Sequence, residues 1–214
     1  MGLLLDEELK NSTSNVTNEF LIDNIRNKYP TILFQDIDYW NANTIIVINK
    51  HLDRLSLFNQ NLVDSIPNLI LMSFEKENPR GFFDYENEFL VLNTMGLGGD
   101  LTYIVLTHES THGYHYKLKK TNPDKFINFE DEWSQLTPSS KYLGDNYAEI
   151  SREDMKRYGF ARDSSAKNIC DDVATLVDYV AYLELCSIDH KKYLDGDIFE
   201  NKMDLLKKYG FLKL

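Results

Sequence analysis

Apolar positions change period several times along the chain, and those changes divide it into elements. Residues 11–19 are polar and read as a loop; Phe20, Leu21 and Ile25 then recur at helical spacing and stop before Pro30. Thr44, Ile45, Ile46, Val47 and Ile48 are β-branched throughout, which predicts a buried strand. Leu52, Leu55, Phe58, Leu62, Val63 and Ile66 mark one face of an amphipathic helix that stops at Pro67. Residues 69–74 are apolar and read as a strand. From Phe82 to Leu92 the pattern is two short strands joined by a polar turn.

Gly96, Leu97, Gly98 and Gly99 break the chain next, and Asp100 stands where a helix N-cap belongs. The pattern predicts a helix from about residue 101 to about residue 120, ended by Asn122, Pro123 and Asp124. Residues 123–146 hold Trp133, Pro138 and many polar side chains, and read as an irregular segment beside the cleft. Residues 148–158 and 168–187 read as helices. In the second, Ile169, Val173, Leu176, Val177 and Val180 line one face, while Asp171, Thr175 and Asp178 gather within about 60° of each other on another. Gly196 precedes a last amphipathic helix with Ile198, Met203, Leu205 and Leu206. The expected architecture is α+β: one domain over residues 1–214, with an N-terminal lobe from about 17 to 120 and a mainly helical C-terminal lobe from about 121 to 214.

Composition narrows the classes. The 214 residues are 43% hydrophobic and 27% charged, enough for one sizeable core. The net charge of -11 repels nucleic-acid phosphates and anionic membranes, so no nucleic-acid partner is expected. No apolar run approaches the ~20 residues of a membrane helix. The first ten residues lack a basic n-region and a long apolar h-region, so no signal peptide is read there, and the compartment stays open. Cys170 and Cys186 would lie roughly 24 Å apart on one helix, beyond disulfide reach, and no Cys-x-x-Cys offers a thiolate metal site.

Chemistry concentrates in His108-Glu109-Ser110-Thr111-His112, an H-E-x-x-H motif inside an apolar helical stripe with Leu101, Ile104 and Val105. Residues four apart on a helix differ by about 40°, so both imidazoles can point at one Zn²⁺ while Glu109 reaches the water beside it. That set supplies two metal ligands and a general base for hydrolysis by a metal-activated water. A third ligand must come from elsewhere. Asp171, Asp172, Glu149, Asp145 and Glu132 are candidates, and a rigid helix favours the Asp171-Asp172 pair over Glu149. His115 lies about 10 Å along the axis from His108, too far for one ion, and reads as a cleft-lining or surface histidine. Trp40 and Trp133 read as packing residues, and Glu130, Asp131 and Glu132 as a solvated face.

The motif resembles the active-site helix of the zincin metallopeptidases. Residues Asn168 to Ala174 are similar to the second-helix signature of gluzincin-like proteins of the lethal-factor type, in which a ligand Glu precedes an Ala by three. That register implies Asp171 as the third ligand, one methylene shorter than the family's Glu. It implies a single catalytic Zn²⁺, a peptide or protein substrate and a monomeric peptidase. Residues 88–92 resemble the zincin edge strand, which binds substrate backbone. The family's usual tyrosine falls at Ser164, so Tyr158 is the expected donor to the oxyanion. A zincin-fold protein that binds without cleaving, and a toxin or effector protease of narrow specificity, are the alternatives.

Overall fold

The computed structural model describes residues 18–35, 41–72, 80–93 and 99–213. The expected loop at 11–17, the first ten residues, Trp40 and the glycine run at 96–98 lie outside them. The fold is α+β. Helix α1 (Asn18–Lys28) leads to strand β1 (Leu33–Gln35), helix α2 (Ala42–Val63), strand β2 (Asn68–Met72) and the hairpin β3 (Gly81–Asp84) and β4 (Phe89–Asn93). Helices α3 (Asp100–Thr121), α4 (Pro123–Leu136), α5 (Arg152–Tyr158), α6 (Ile169–Leu185) and α7 (Asp197–Tyr209) follow, with short 3₁₀ turns between them. None of the helices among the described residues is long and apolar enough to cross a membrane.

The β-branched run at 44–48 is the first correction. It forms the start of α2 and not a strand. Asn41 caps the helix by accepting from the Thr44 amide at 2.9 Å. Ile45, Ile48, Leu52 and Leu55 are all buried, a 3-and-4 spacing that a strand would split between two faces. Burial of that stripe outweighs helix-propensity losses of a few tenths of a kcal/mol per β-branched residue. The helix kinks at Asn59 (φ -158, ψ 106), whose side-chain amide donates to the Gly210 carbonyl at 2.9 Å.

The four strands run in the order β1-β2-β4-β3. β1, β2 and β4 are parallel neighbours, and β3 pairs antiparallel with β4. Strand β4 therefore lies inside the sheet, with Leu90, Val91 and Leu92 all buried. The edge expected at 88–92 belongs to β3, its hairpin partner. A strand apolar on both faces belongs in the middle of a sheet, whereas the half-exposed β3 tolerates the edge.

Helix α3 packs between the sheet and α6. Two glycines set the closeness of that packing. A Cβ on Gly113 would lie 3.0 Å from both a Phe83 ring carbon and the Ser65 carbonyl, and one on Gly81 would lie 2.7 Å from Val105. Gly99, at φ 54 and ψ -133, starts α3; Asp100 occupies the first turn and makes no capping bond, contrary to its expected N-cap role.

The second correction concerns residues 123–146. Residues 123–136 are helix α4, irregular structure beginning only beyond it. Asn122 caps α4 through the Lys125 amide, Pro123 occupies its first turn, and Phe126, Phe129 and Trp133 form its buried stripe. The polar residues between them face solvent. Both cysteines are free.

Candidate metal centre

Helix α3 presents His108, Glu109 and His112 to a cleft of about 620 Å³. One wall comes from β3 and the turn after it, through Gly81, Phe82, Phe83 and Tyr85; the other comes from the approach to α6, through Lys167, Asn168, Cys170 and Asp171. Asn168 caps α6 by accepting from the Asp171 amide at 2.9 Å, and its side-chain amide donates to the Asp171 carboxylate at 2.6 Å. The helix start and the ligand candidate are thus held by the same residue.

The donors converge. Nε2 of His108 and Nε2 of His112 stand 3.2 Å apart. Oδ1 of Asp171 is 3.9 Å from each of them. Two bonds of 2.0–2.1 Å at a tetrahedral angle require ligand atoms about 3.3 Å apart, so the histidine pair already has metal-binding geometry and Asp171 needs a sub-ångström approach. Burial holds both imidazoles below their ordinary pKa and therefore neutral, the form a metal accepts.

The far ring nitrogens fix which tautomer is present. Nδ1 of His108 is 2.8 Å from Oδ2 of Asp178, a buried carboxylate that accepts only. Nδ1–H of His108 donates there, leaving the Nε2 lone pair for the cleft. Nδ1 of His112 is 3.1 Å from the Tyr85 hydroxyl. Arg162 pairs with Asp178 from the other side. Asp178 lies two helical turns beyond Asp171 on α6, so one helix supplies both a ligand candidate and the carboxylate that orients His108.

Glu109 faces the same cleft and is buried. Burial pushes its carboxyl up to about 7, with His108 pulling the other way and the Phe83 backbone amide also hydrogen-bonding it. Its side chain packs near Gly81, where any side chain would intrude. A carboxyl with that value takes and returns a proton readily near neutral pH.

The other sequence candidates are elsewhere. Asp172 points into the core, bonded by Lys202 Nζ at 2.7 Å, Trp133 Nε1 at 3.0 Å and the Tyr142 hydroxyl at 3.0 Å. Adjacent helical residues differ by about 100° in direction, so only one of the two aspartates can face the cleft. Glu132 pairs with Lys208 and Tyr209, and Asp145 is exposed. Glu149 and Tyr158 line a second pocket with Ser140, Lys141 and Asp154, which shares no lining residue with the cleft. Tyr158 is not among the residues lining the cleft: it ends α5, its ring against Phe160 and under Lys141 and Arg157, and the hydroxyl at the cleft belongs to Tyr85. His115 is neither cleft-lining nor at the surface; it is buried against Phe126, Phe129 and Phe211. Trp133 is fully buried, as its packing role requires.

Three residues escaped the sequence reading of the site. Asp178 was visible as a face-mate of Asp171, with no signal of what it touches. Tyr85 sits in a hairpin turn and Lys167 just after a 3₁₀ turn, and neither position carries a periodic signal.

No family model matches the sequence, and no curated protein matches it. One solved structure shares the fold: a Bacteroides caccae protein described as a "putative zinc-binding metallo-peptidase", with a TM-score of 0.51 and 13% identity over 90% of this chain and 83% of that one. At that identity the likeness is one of fold.

Proposed function

We propose that the chain is a zinc-dependent peptidase of the zincin type that hydrolyses peptide bonds. The observation carrying this reading is the convergence of two neutral imidazole Nε2 atoms and the Asp171 carboxylate beside buried Glu109, in an open cleft. The shared fold with the Bacteroides caccae protein supports it. His108, His112 and Asp171 would hold the ion through Nε2, Nε2 and Oδ1. Zinc bound there supplies a Lewis acid that lowers the pKa of water at its open position and polarises a carbonyl oxygen.

The chain's own residues do the rest. Glu109 accepts the proton of the attacking water and passes it to the leaving nitrogen. Asp178, held by Arg162, fixes the orientation of His108. Tyr85 accepts from Nδ1–H of His112, which leaves its own hydroxyl proton to donate into the cleft. Burial, together with the charges of Glu109 and Asp171, keeps that hydroxyl protonated. It replaces Tyr158 as the donor to the oxyanion. Walls, floor and both carboxylates come from one chain, so a monomer suffices.

The test is Glu109→Gln, assayed for hydrolysis of a mixed peptide pool by mass spectrometry and for bound metal by elemental analysis. Metal content should be unchanged and hydrolysis should fall by about 10²–10⁴-fold. Hydrolysis at the wild-type rate would overturn the mechanism. Full metal content in a His108→Ala, His112→Ala double variant would overturn the site.

A further inference from the structure

Resting on the peptidase reading, we infer that Lys167 is the anion-binding residue of the cleft, so that preferred substrates carry a carboxylate close to the bond that is broken. The polar lining is small once the proposed machinery is set aside. His108, His112 and Asp171 converge on one point, Glu109 is the base, and Tyr85 and Asn168 are tied to His112 and Asp171. Lys167 is the remaining charged group on the wall, and the only cation that lines the cleft among the described residues.

Its ammonium is also unspent. In this acid-rich chain Lys28, Lys120, Lys202, Lys207 and Lys208 each pair with a carboxylate, and Arg54 and Arg162 do the same. Lys167 has no such partner within 4.0 Å among the described residues, although Asp171 follows it by four residues. Asn168 and the two histidines claim that carboxylate. The Lys167 backbone is anchored at both ends, its amide donating to the Ser164 carbonyl at 3.2 Å and its carbonyl accepting from Gly144 at 3.1 Å. The side chain therefore reaches the cleft from a fixed root. Residues of β3 and the turn after it, among them Phe82 and Tyr85, line the same cleft.

A substrate carboxylate has two sources, an Asp or Glu side chain and the free C-terminus, and both are testable. Octapeptide pools with one fixed position (Glu, Gln or Lys) are made as free acids and as C-terminal amides. Binding is measured by calorimetry on zinc-loaded Glu109→Gln protein, and cleavage by mass spectrometry on zinc-loaded wild type. A Glu pool should bind and be cut about three- to tenfold better than the matching Gln pool, consistent with a partly shielded ion pair. If the free acid outperforms the amide while Glu and Gln are equal, the C-terminus is the source. Lys167→Met should flatten these ratios, Lys167→Arg should restore them, and Lys167→Glu should turn the preference toward the Lys pool. Equal binding of all pools, or no binding of any, overturns the proposal. Discriminating binding without wild-type cleavage retains the anion site and overturns the peptidase reading instead.

Discussion

Helices α3 and α6 each carry two polar faces, and the same residue types behave in opposite ways on them. Toward the cleft stand His112 and Asp171, whose donor atoms converge without satisfying each other. Toward the core stand His115 and Asp172, three and one residues along, sealed among aromatic rings and hydrogen-bond donors. Asp172 has Lys202 for its charge, and Trp133, Tyr142 and Lys202 all bond its Oδ2, while Lys202 itself lies against the Trp133 and Phe160 rings at 5.0 and 5.1 Å. A buried carboxylate that is paired and bonded holds a structure in place; one left with lone pairs facing a cavity is available for a ligand.

The sharpest way to break this contrast is on the core side. Lys202→Met leaves Asp172 charged and buried without its partner, and should cost about 3–5 kcal/mol in urea unfolding. Asp172→Asn combined with Lys202→Met should recover most of that loss. A single-variant cost below about 1 kcal/mol would mean that the pair does not hold α6 against α7. On the cleft side the effect moves from stability to metal. Asp171→Ala should weaken zinc binding by more than the ~10–100-fold that an outer partner costs, while the metal-free unfolding midpoint stays near wild type. Unchanged zinc affinity would remove Asp171 from the ligand set.

Asp178→Asn tests the orienting carboxylate. Zinc affinity should fall by about 10–100-fold, measured by competition with a chelator. Arg162, 40% exposed, can turn to water in that variant, so the fold should persist. The smallest effect is a pH dependence. Burial lowers His115 and His51 from 6.5 to about 4. The folded state therefore refuses a proton that the unfolded chain accepts, so stability is complete above about pH 6.5 and falls as pH drops toward 4. At pH 5.5 each histidine should remove about 1 kcal/mol, and His115→Phe should abolish its share of the slope in metal-free protein. An identical slope in the variant would show that His115 is not shielded.

Much of the fold was legible where one local pattern dominates. The stripe on α6 and the hairpin at 82–92 both appear where their spacing puts them. The reading went astray where local preference and burial compete. The β-branched run at 44–48 favours a strand in isolation but supplies the first turns of a buried helical stripe. Polar residues hid the Phe126-Phe129-Trp133 stripe of α4. The edge strand was misplaced by one hairpin arm, because edge position depends on which neighbour pairs with which arm.

The motif itself needed little beyond the chain. Helical periodicity alone puts His108, Glu109 and His112 on one side of α3, because a spacing of four is fixed by 3.6 residues per turn. What surrounds them was set by contacts between residues distant in sequence. The hydroxyl beside His112 comes from Tyr85, the carboxylate behind His108 from Asp178, and the cation that holds Asp172 in the core from Lys202, thirty residues beyond it. A helix direction of about 100° per residue separates the two aspartates, but only the packing of α7 decides which of them meets a cation in the core and which meets the cleft.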